Sequence, residues 1–446
     1  MFKISEHLFF TNRMFWYIIR TDVLKRGEKM IRSILHCDLN NFYVSVASRD
    51  DPSLKDKIVA VGGSVEERHG IILAKNEKAK RFGIATGEAI WQAKQKCPSL
   101  IVVPPDFKRY TYFSGQVRHI YERYTDLIEP FGIDECWLDV TGSRLLFGDG
   151  ITIANRIRNE VKAELGLTIS VGVSFNKIFA KLGSDLKKPD ATSVIPYDGF
   201  REMIWPMEVN CLLGVGRATE AKLRSLGIFT VGDLATADPE AIRLRLGKNG
   251  EMLQSFANGD ENSAVLKSDW VFKPKSIGRS VTCPKDLTNF EEAKRVLLRL
   301  SEEVAKELRL QDLEGHGLQV HIRDNLLEVR EFMMQLETAV QSSDRIADFA
   351  IKLLKKNFSF ERPLRSIGVR VIKLREYCPQ LQLSFFEDRM TIIKRDMLER
   401  SIDKIREKHG ECAVVRASLM NDFKAFRDQS PSTLGRTRLA AGKSVK

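Results

Sequence analysis

Apolar positions recur along this chain at strand and helix spacing, and their order predicts its architecture. Ser33-Ile34-Leu35-His36-Cys37-Asp38 is an apolar run ending in an acid, the pattern of a buried strand. Leu39 to Val46 follows with Phe42, Tyr43 and Val46 at helical spacing. An acid at a strand end that opens onto a helix start is well placed to present a ligand. Residues 54–104 read as a small α/β module: strands at Lys57–Gly63 and Gly70–Ala74, then a helix at Asn76–Gly83 stopped by glycine. Tyr110 to Tyr124 is amphipathic, residues 147–165 form another helix, and Leu167–Val173 is a strand. Between them Phe131-Gly132-Ile133-Asp134-Glu135-Cys136-Trp137-Leu138-Asp139 fits a tight hairpin. In a strand Asp134 and Glu135 would point to opposite faces, so both serve one site only if the backbone is turned or bulged there.

The resulting order is strand, helices, strand, strand, helix, strand. It predicts a split βαβ sheet with an insertion after its first strand. That topology brings Asp38 and Asp134-Glu135 to neighbouring strands. Phe175 to Pro189 is a helix with lysines at intervals, and its end would lie near the same sheet, so that Lys188 reaches a phosphate.

Residues 196–270 are helical throughout. There Leu213-Gly214-Val215-Gly216 reads either as a helix-hairpin-helix turn, whose amides bind a DNA phosphate without reading sequence, or as a plain helix-turn-helix connector. Lys273 to Ser280 is a basic Pro/Gly linker. Beyond it the strand–helix order repeats: strand Ile277–Thr282, helix Phe290–Arg309, a hairpin around Asp324-Asn325, helix Ser343–Lys356 and strand Leu364–Leu374. Gln380 to Phe386 reads as a docking peptide or as a strand covering a sheet edge, and residues 389–409 as a highly charged helix.

Composition narrows the partners. The formal net charge of +12 fits an anionic partner, most simply nucleic acid, and equally a basic but unspecialised surface; composition alone leaves the two about even. The seven cysteines are scattered and show no CxxC pair, so we expect reduced thiols in the cytoplasm and neither disulfides nor zinc. Residues 1–29 read as an extension outside the folded core, with a membrane-associating or packing helix as the alternative; no apolar run reaches membrane-spanning length.

Asp38, Asp134 and Glu135 offer hard oxygen ligands with few histidines nearby, which selects Mg²⁺ or Mn²⁺. Two such ions suit a phosphoryl displacement, and Lys80, Arg81 and Lys188 would add charge around a triphosphate. An adjacent acid pair taken alone more often caps a turn or pairs with lysines. Asp38 beside it, in a chain of +12, reverses that preference.

With these motifs the chain resembles the Y-family DNA polymerases of the polymerase IV type. The likeness rests on Cys37-Asp38-Leu39-Asn40-Asn41-Phe42-Tyr43, Ile133-Asp134-Glu135, Ser174 to Pro189, the Gly214–Gly216 turn and Gln382 to Phe386. The resemblance implies an α+β right-hand polymerase with a ferredoxin-like palm (30–41 and 106–195), small fingers (42–105) and a helix-hairpin-helix thumb (196–270). A linker (271–276), an α+β little finger (277–376) and a C-terminal tail (377–446) complete it. It also implies low-fidelity, template-directed addition of deoxynucleotides opposite damaged bases, without proofreading. Asp38, Asp134, Glu135 and the Leu39 carbonyl match two-Mg²⁺ ligands, and Tyr43 the steric gate against a ribose 2′-OH. Phe42, Lys80 and Lys188 fall at nucleotide contacts, and Gly214, Gly216 and Arg279 at DNA contacts. Gln382, Leu383, Ser384, Phe385 and Phe386 match a sliding-clamp peptide, with Phe385 for the usual leucine. Primer–template DNA, a dNTP and a clamp are the implied partners of a cytoplasmic monomer.

Departures are local. Asn40 stands where the first motif usually has a second acid, and Glu77 and Lys80 where the fingers usually have a phosphate-binding tyrosine and arginine. These two favour a competing reading, a DNA- and clamp-binding scaffold with little catalysis. A third, a nucleotidyl cyclase-like enzyme, leaves the hairpin thumb and basic C-terminal module without a purpose.

Overall fold

The computed structural model describes residues 31–419 except 67, 69, 271–272 and 379–388. The N-terminal extension and the clamp peptide Gln382–Phe386 lie outside the described residues. The described strands are β1 (Ile34–Leu39), β2 (Val59–Gly62), β3 (Ile72–Lys75), β4 (Ile101–Val103), β5 (Ile128–Pro130) and β6 (Glu135–Asp139). They continue with β7 (Ile169–Ser174), β8 (Thr192–Val194), β9 (Ser276–Leu287), β10 (Leu313–Asp324), β11 (Val329–Val340) and β12 (Leu364–Glu376).

The first sheet runs β5-β6-β1-β7-β8. β1 lies between β6 and β7, antiparallel to both, because the β5–β6 hairpin inserts beside the strand that precedes it. Every residue of β1 and of β7 is buried, as continuous apolar runs require when both faces are covered. β8 adds a parallel edge to β7 that the sequence pattern does not single out. Helices Phe107–Tyr121 and Gly150–Leu165 supply Tyr110, Phe113, Val117, Ile153 and Ile157 to the core on one face. The other face carries helix Lys177–Leu186, whose N-terminus is capped by Asn176 accepting from the Phe179 N–H.

That helix touches β7 closely because two glycines meet there. A Cβ on Gly172 would stand 1.9 Å from the Ala180 carbonyl oxygen, and one on Gly183 would stand 3.1 Å from the Gly172 Cα. Gly172→Ala therefore pushes the helix off the sheet. We expect a loss of about 1–3 kcal/mol or more by the usual cost of overpacking, read by denaturant unfolding; an unchanged midpoint would refute this packing.

The insertion after β1 holds the three-stranded sheet β3-β2-β4, with its own small core of Ala60, Ile72, Ile84 and Ile90. Residues 200–257 form short helices around Leu212, Leu223, Leu234, Ile242 and Leu253. The Gly214–Gly216 turn there joins the 3-10 turn Val209–Cys211 to helix Arg217–Arg224, where the sequence suggests a hairpin between two helices. Gly214 has φ +96°, which favours glycine.

The C-terminal module repeats the element order of the first but not its strand order. Its sheet runs β11-β10-β12-β9, so the last strand separates the first two. Helices Phe290–Leu310 and Ser343–Asn357 cover one face. Residues 399–416, expected as part of a tail, instead pack on these helices. Arg309 is buried and bonds Glu399 and, at 2.6 Å, Asp403. Arg406 and Arg416 reach Glu302 at 3.1 and 2.5 Å. Glu399 accepts from the Ser343 N–H at 3.0 Å, and so caps a helix whose own N-cap, Ser342, makes no side-chain cap.

Candidate active site

Asp38 and Glu135 are register partners across β1 and β6. Asp134 is not in the strand at all. It sits in the turn before β6, where its carbonyl accepts from the Leu39 N–H at 3.0 Å. The alternation of a strand is thus ended by the turn, and no bulge in β6 is needed to bring both acids to the end of β1 where Asp38 lies.

Three carboxylates so close repel one another in a site largely shut from water. Burial, then the charges of Asp38 and Glu135, push Asp134 up to about 6. Burial also raises Asp38, against the pull of Lys188. Glu135 goes the other way. Burial works to raise it, but His36 and Lys181 together outweigh that and bring it down to about 2. Burial drives His36 itself toward its neutral form, so at neutral pH the Lys181 ammonium is the charge that keeps Glu135 ionised.

The sequence pattern singles out Lys188 but not Lys181, Asp185 or His36, and the structure brings all four to the acids. Lys181 Nζ lies 3.0 Å from Glu135 Oε2, 3.6 Å from Asp38 Oδ2 and 3.6 Å from Asp185 Oδ2. Lys188 Nζ lies 2.9 Å from Asp38 Oδ2 and 2.7 Å from Asp185 Oδ1. Lys188 thus meets the site, as the helix end suggests, but through Asp38. The spacing of Lys181 and Asp185 is the available signal, since it places both on one side of helix Lys177–Leu186, with Lys188 just past its end.

His36 is fully buried beneath Glu135. The Ser184 hydroxyl donates to the Lys181 carbonyl at 2.7 Å and lies 2.8 Å from His36 Nδ1. His36 Nε2 faces Glu135 Oε2 at 3.3 Å, and the Lys181 ammonium stands 3.0 Å from the same oxygen.

Among the described residues no three His, Cys, Asp or Glu side chains already surround one point. Ammonium groups stand between the acids instead. The donor set nonetheless fits a hard divalent cation: carboxylates forced together, with ammonium groups now answering their charge.

Asn40 points away from this cluster. Its amide donates to Ser170 Oγ at 2.9 Å and accepts from the Asp190 N–H at 2.8 Å, so it braces β1 against β7 and the loop before β8. Phe42 is 3% exposed and packed in the core, so its side chain is turned away from any nucleotide. Tyr43 lies flat on Tyr110, with ring centroids 4.1 Å apart and planes 9° apart, and edge-on to Phe107. Burial, and then the charge of Asp134, push its hydroxyl up to about 12.

Glu77 accepts from the Asn41 amide at 3.5 Å and pairs with Lys80 at 3.9 Å. Its charge is partly answered by its neighbours. Arg279 is engaged by Glu307 at 3.5 Å. Nothing lies within 4 Å of a Cβ placed on Gly216, so the backbone there is open to a partner.

The chain is similar to known proteins. A model of the impB/mucB/samB family matches residues 37–185, and one of the impB/mucB/samB family C-terminal domain matches residues 274–385. The DNA polymerase IV of Acetivibrio thermocellus is 48% identical over 393 residues, covering 88% of this chain and 98% of that protein. That of Clostridium kluyveri is 34% identical over 402 residues, covering 89% and 100%. A solved Dbh–Dpo4 chimera, a Y-family DNA polymerase, superposes with a TM-score of 0.70 at 24% identity, over 77% of this chain and 99% of that one.

Proposed function

We infer the chemistry of this chain from its family: it belongs to the impB/mucB/samB family of Y-family DNA polymerases, of the polymerase IV type. It is a DNA-directed DNA polymerase of translesion synthesis, acting on primer–template DNA and deoxynucleoside triphosphates with a divalent metal. The primer 3′-hydroxyl attacks the α-phosphorus, a P–O bond forms, and pyrophosphate leaves.

Asp38, Asp134, Glu135 and the Leu39 carbonyl are our proposed ligands for two Mg²⁺ ions, with Mn²⁺ as a substitute. Bound cations supply the charge that acidifies the 3′-hydroxyl and neutralises the departing pyrophosphate. The protein groups do the rest. Lys188 leaves Asp38 for the triphosphate, helped by Lys80. The contact at Phe42 is through its amide, at the N-terminus of helix Phe42–Asp50, where free N–H groups favour phosphate. Tyr43 closes the space a 2′-OH would need. The backbone amides at Gly214 and Gly216 hold a DNA phosphate, and Arg279 binds the backbone of the duplex. We assign Gln382, Leu383, Ser384, Phe385 and Phe386 to a sliding clamp, and place the enzyme in the cytoplasm as a monomer. No helix among the described residues is long and apolar enough to cross a membrane.

The observation that carries this reading is the register of Asp38 against Glu135, with Asp134 at the adjoining turn. Primer extension by the purified chain, on intact and abasic templates, tests it. We expect extension with Mg²⁺ and none in chelator. Tight primer–template binding without extension would support a scaffold instead.

A further inference from the structure

Lys181 has no part in the proposed metal and nucleotide contacts, yet it is the charge nearest Glu135 among the groups that set its ionisation. Its side chain is only 15% exposed. Its helix lies close on β7 at the Gly172–Gly183 contact, which sets the backbone from which the side chain reaches the acids. Its ammonium stands within 4 Å of two carboxylates assigned to metal binding, and equally near a third, Asp185, one helical turn on. Asp185 also holds Lys188. It therefore offers both lysines a partner outside the ligand set.

A divalent cation entering the cluster needs the oxygens that Lys181 now faces. Two cations cannot share them at close range without repulsion in a site of low polarity. The lysine must yield, and Asp185 is within reach.

We propose that Lys181 is the built-in counter-cation of the acid cluster: it neutralises Asp38 and Glu135 in the metal-free enzyme, turns to Asp185 when a divalent cation enters, and thereby sets how tightly that cation is held. This rests on the reading of Asp38 and Glu135 as metal ligands. It makes metal binding an exchange of one positive charge for another. Affinity is given up so that the carboxylates are never left buried and uncompensated.

The test is Mn²⁺ binding to the full chain without DNA or nucleotide, followed by the loss of the free-ion EPR signal, with thermal melting in parallel. Lys181→Met removes the competitor. It binds Mn²⁺ about tenfold more tightly, melts lower without metal, and gains more from Mn²⁺ than the parent does. Asp185→Asn removes the alternative partner, leaves both lysines on the ligand carboxylates, and weakens Mn²⁺ binding several-fold. A merely structural lysine would not give these opposite signs. Unchanged or weaker binding in Lys181→Met overturns the proposal, as does tighter binding in Asp185→Asn. Should Lys181→Met not fold, Asp185→Asn decides alone. Asp38→Asn separates the two levels: if it binds Mn²⁺ as the parent does, the ligand assignment itself is wrong, and with it this proposal.

Discussion

Replacing Asp134 by Asn is expected to abolish primer extension and, at the same time, to stabilise the metal-free protein at neutral pH. The activity loss follows from removing an assigned metal ligand at the reacting centre; a fall of at least about 10³-fold is the scale on which such electrostatic contributions operate. The stability gain follows from the same crowding. Asp134 is raised from 3.8 to about 6 by burial and by Asp38 and Glu135. The folded chain therefore holds a proton there that the unfolded chain has already released. Stability falls as pH rises from about 4 to about 6, and the full cost stands above that window. Such a displacement corresponds to about 3 kcal/mol; the side chain keeps some solvent contact, so roughly 1–3 kcal/mol is expected. Denaturant unfolding at pH 7 and at pH 4 checks this. The variant should exceed the parent at pH 7 and match it at pH 4. Equal stability at both would show that the acids do not repel as placed, and normal extension by the variant would remove Asp134 from the site.

Tyr43→Ala is expected to open the enzyme to ribonucleotides, raising their relative incorporation by roughly 10²-fold. That is the scale on which a shaped site discriminates one small group. The tyrosine suits the task because it cannot move aside. Its ring is stacked on Tyr110 at 4.1 Å and bounded by Phe107, and Phe42 adjoins it at 5.8 Å. The barrier comes from the ring and not its hydroxyl, which stays protonated across the working range because its pKa is near 12. Tyr43→Phe should therefore keep sugar selection while Tyr43→Ala loses it. The comparison is of kcat/KM for matched dNTP and rNTP pairs on one template. Unchanged selection in the alanine variant would take Tyr43 out of this role.

Several features are legible in the residue pattern alone. Helix Arg389–His409 and the hairpin at Asp324-Asn325 are visible in spacing. The apolar run into Asp38 marks β1, and the acid pair marks its partner strand. Asn40 lacks the charge of a metal ligand by its residue type; the structure adds that Ser170 and the Asp190 amide use its side chain. Phe42 shows the limit. Its position in the motif suggests a nucleotide contact, but helical geometry turns its ring into the core and leaves only the backbone amide for that work.

The chain's own pattern determined which elements form, in what order, and which strands carry the acids, because periodicity reports how each segment divides its faces. Only the tertiary structure decided which faces meet. Two modules with one element order settled into different strand orders, β5-β6-β1-β7 and β11-β10-β12-β9. The charged helix expected in a tail became a cover held by Arg309 and Glu302. Lys188 met Asp38 across 150 residues of sequence, and Lys181 met Glu135 only because two glycines let a helix lie close on β7. A long-range ion pair leaves no local trace in a sequence. Its energy depends on distance and burial, and folding alone fixes both.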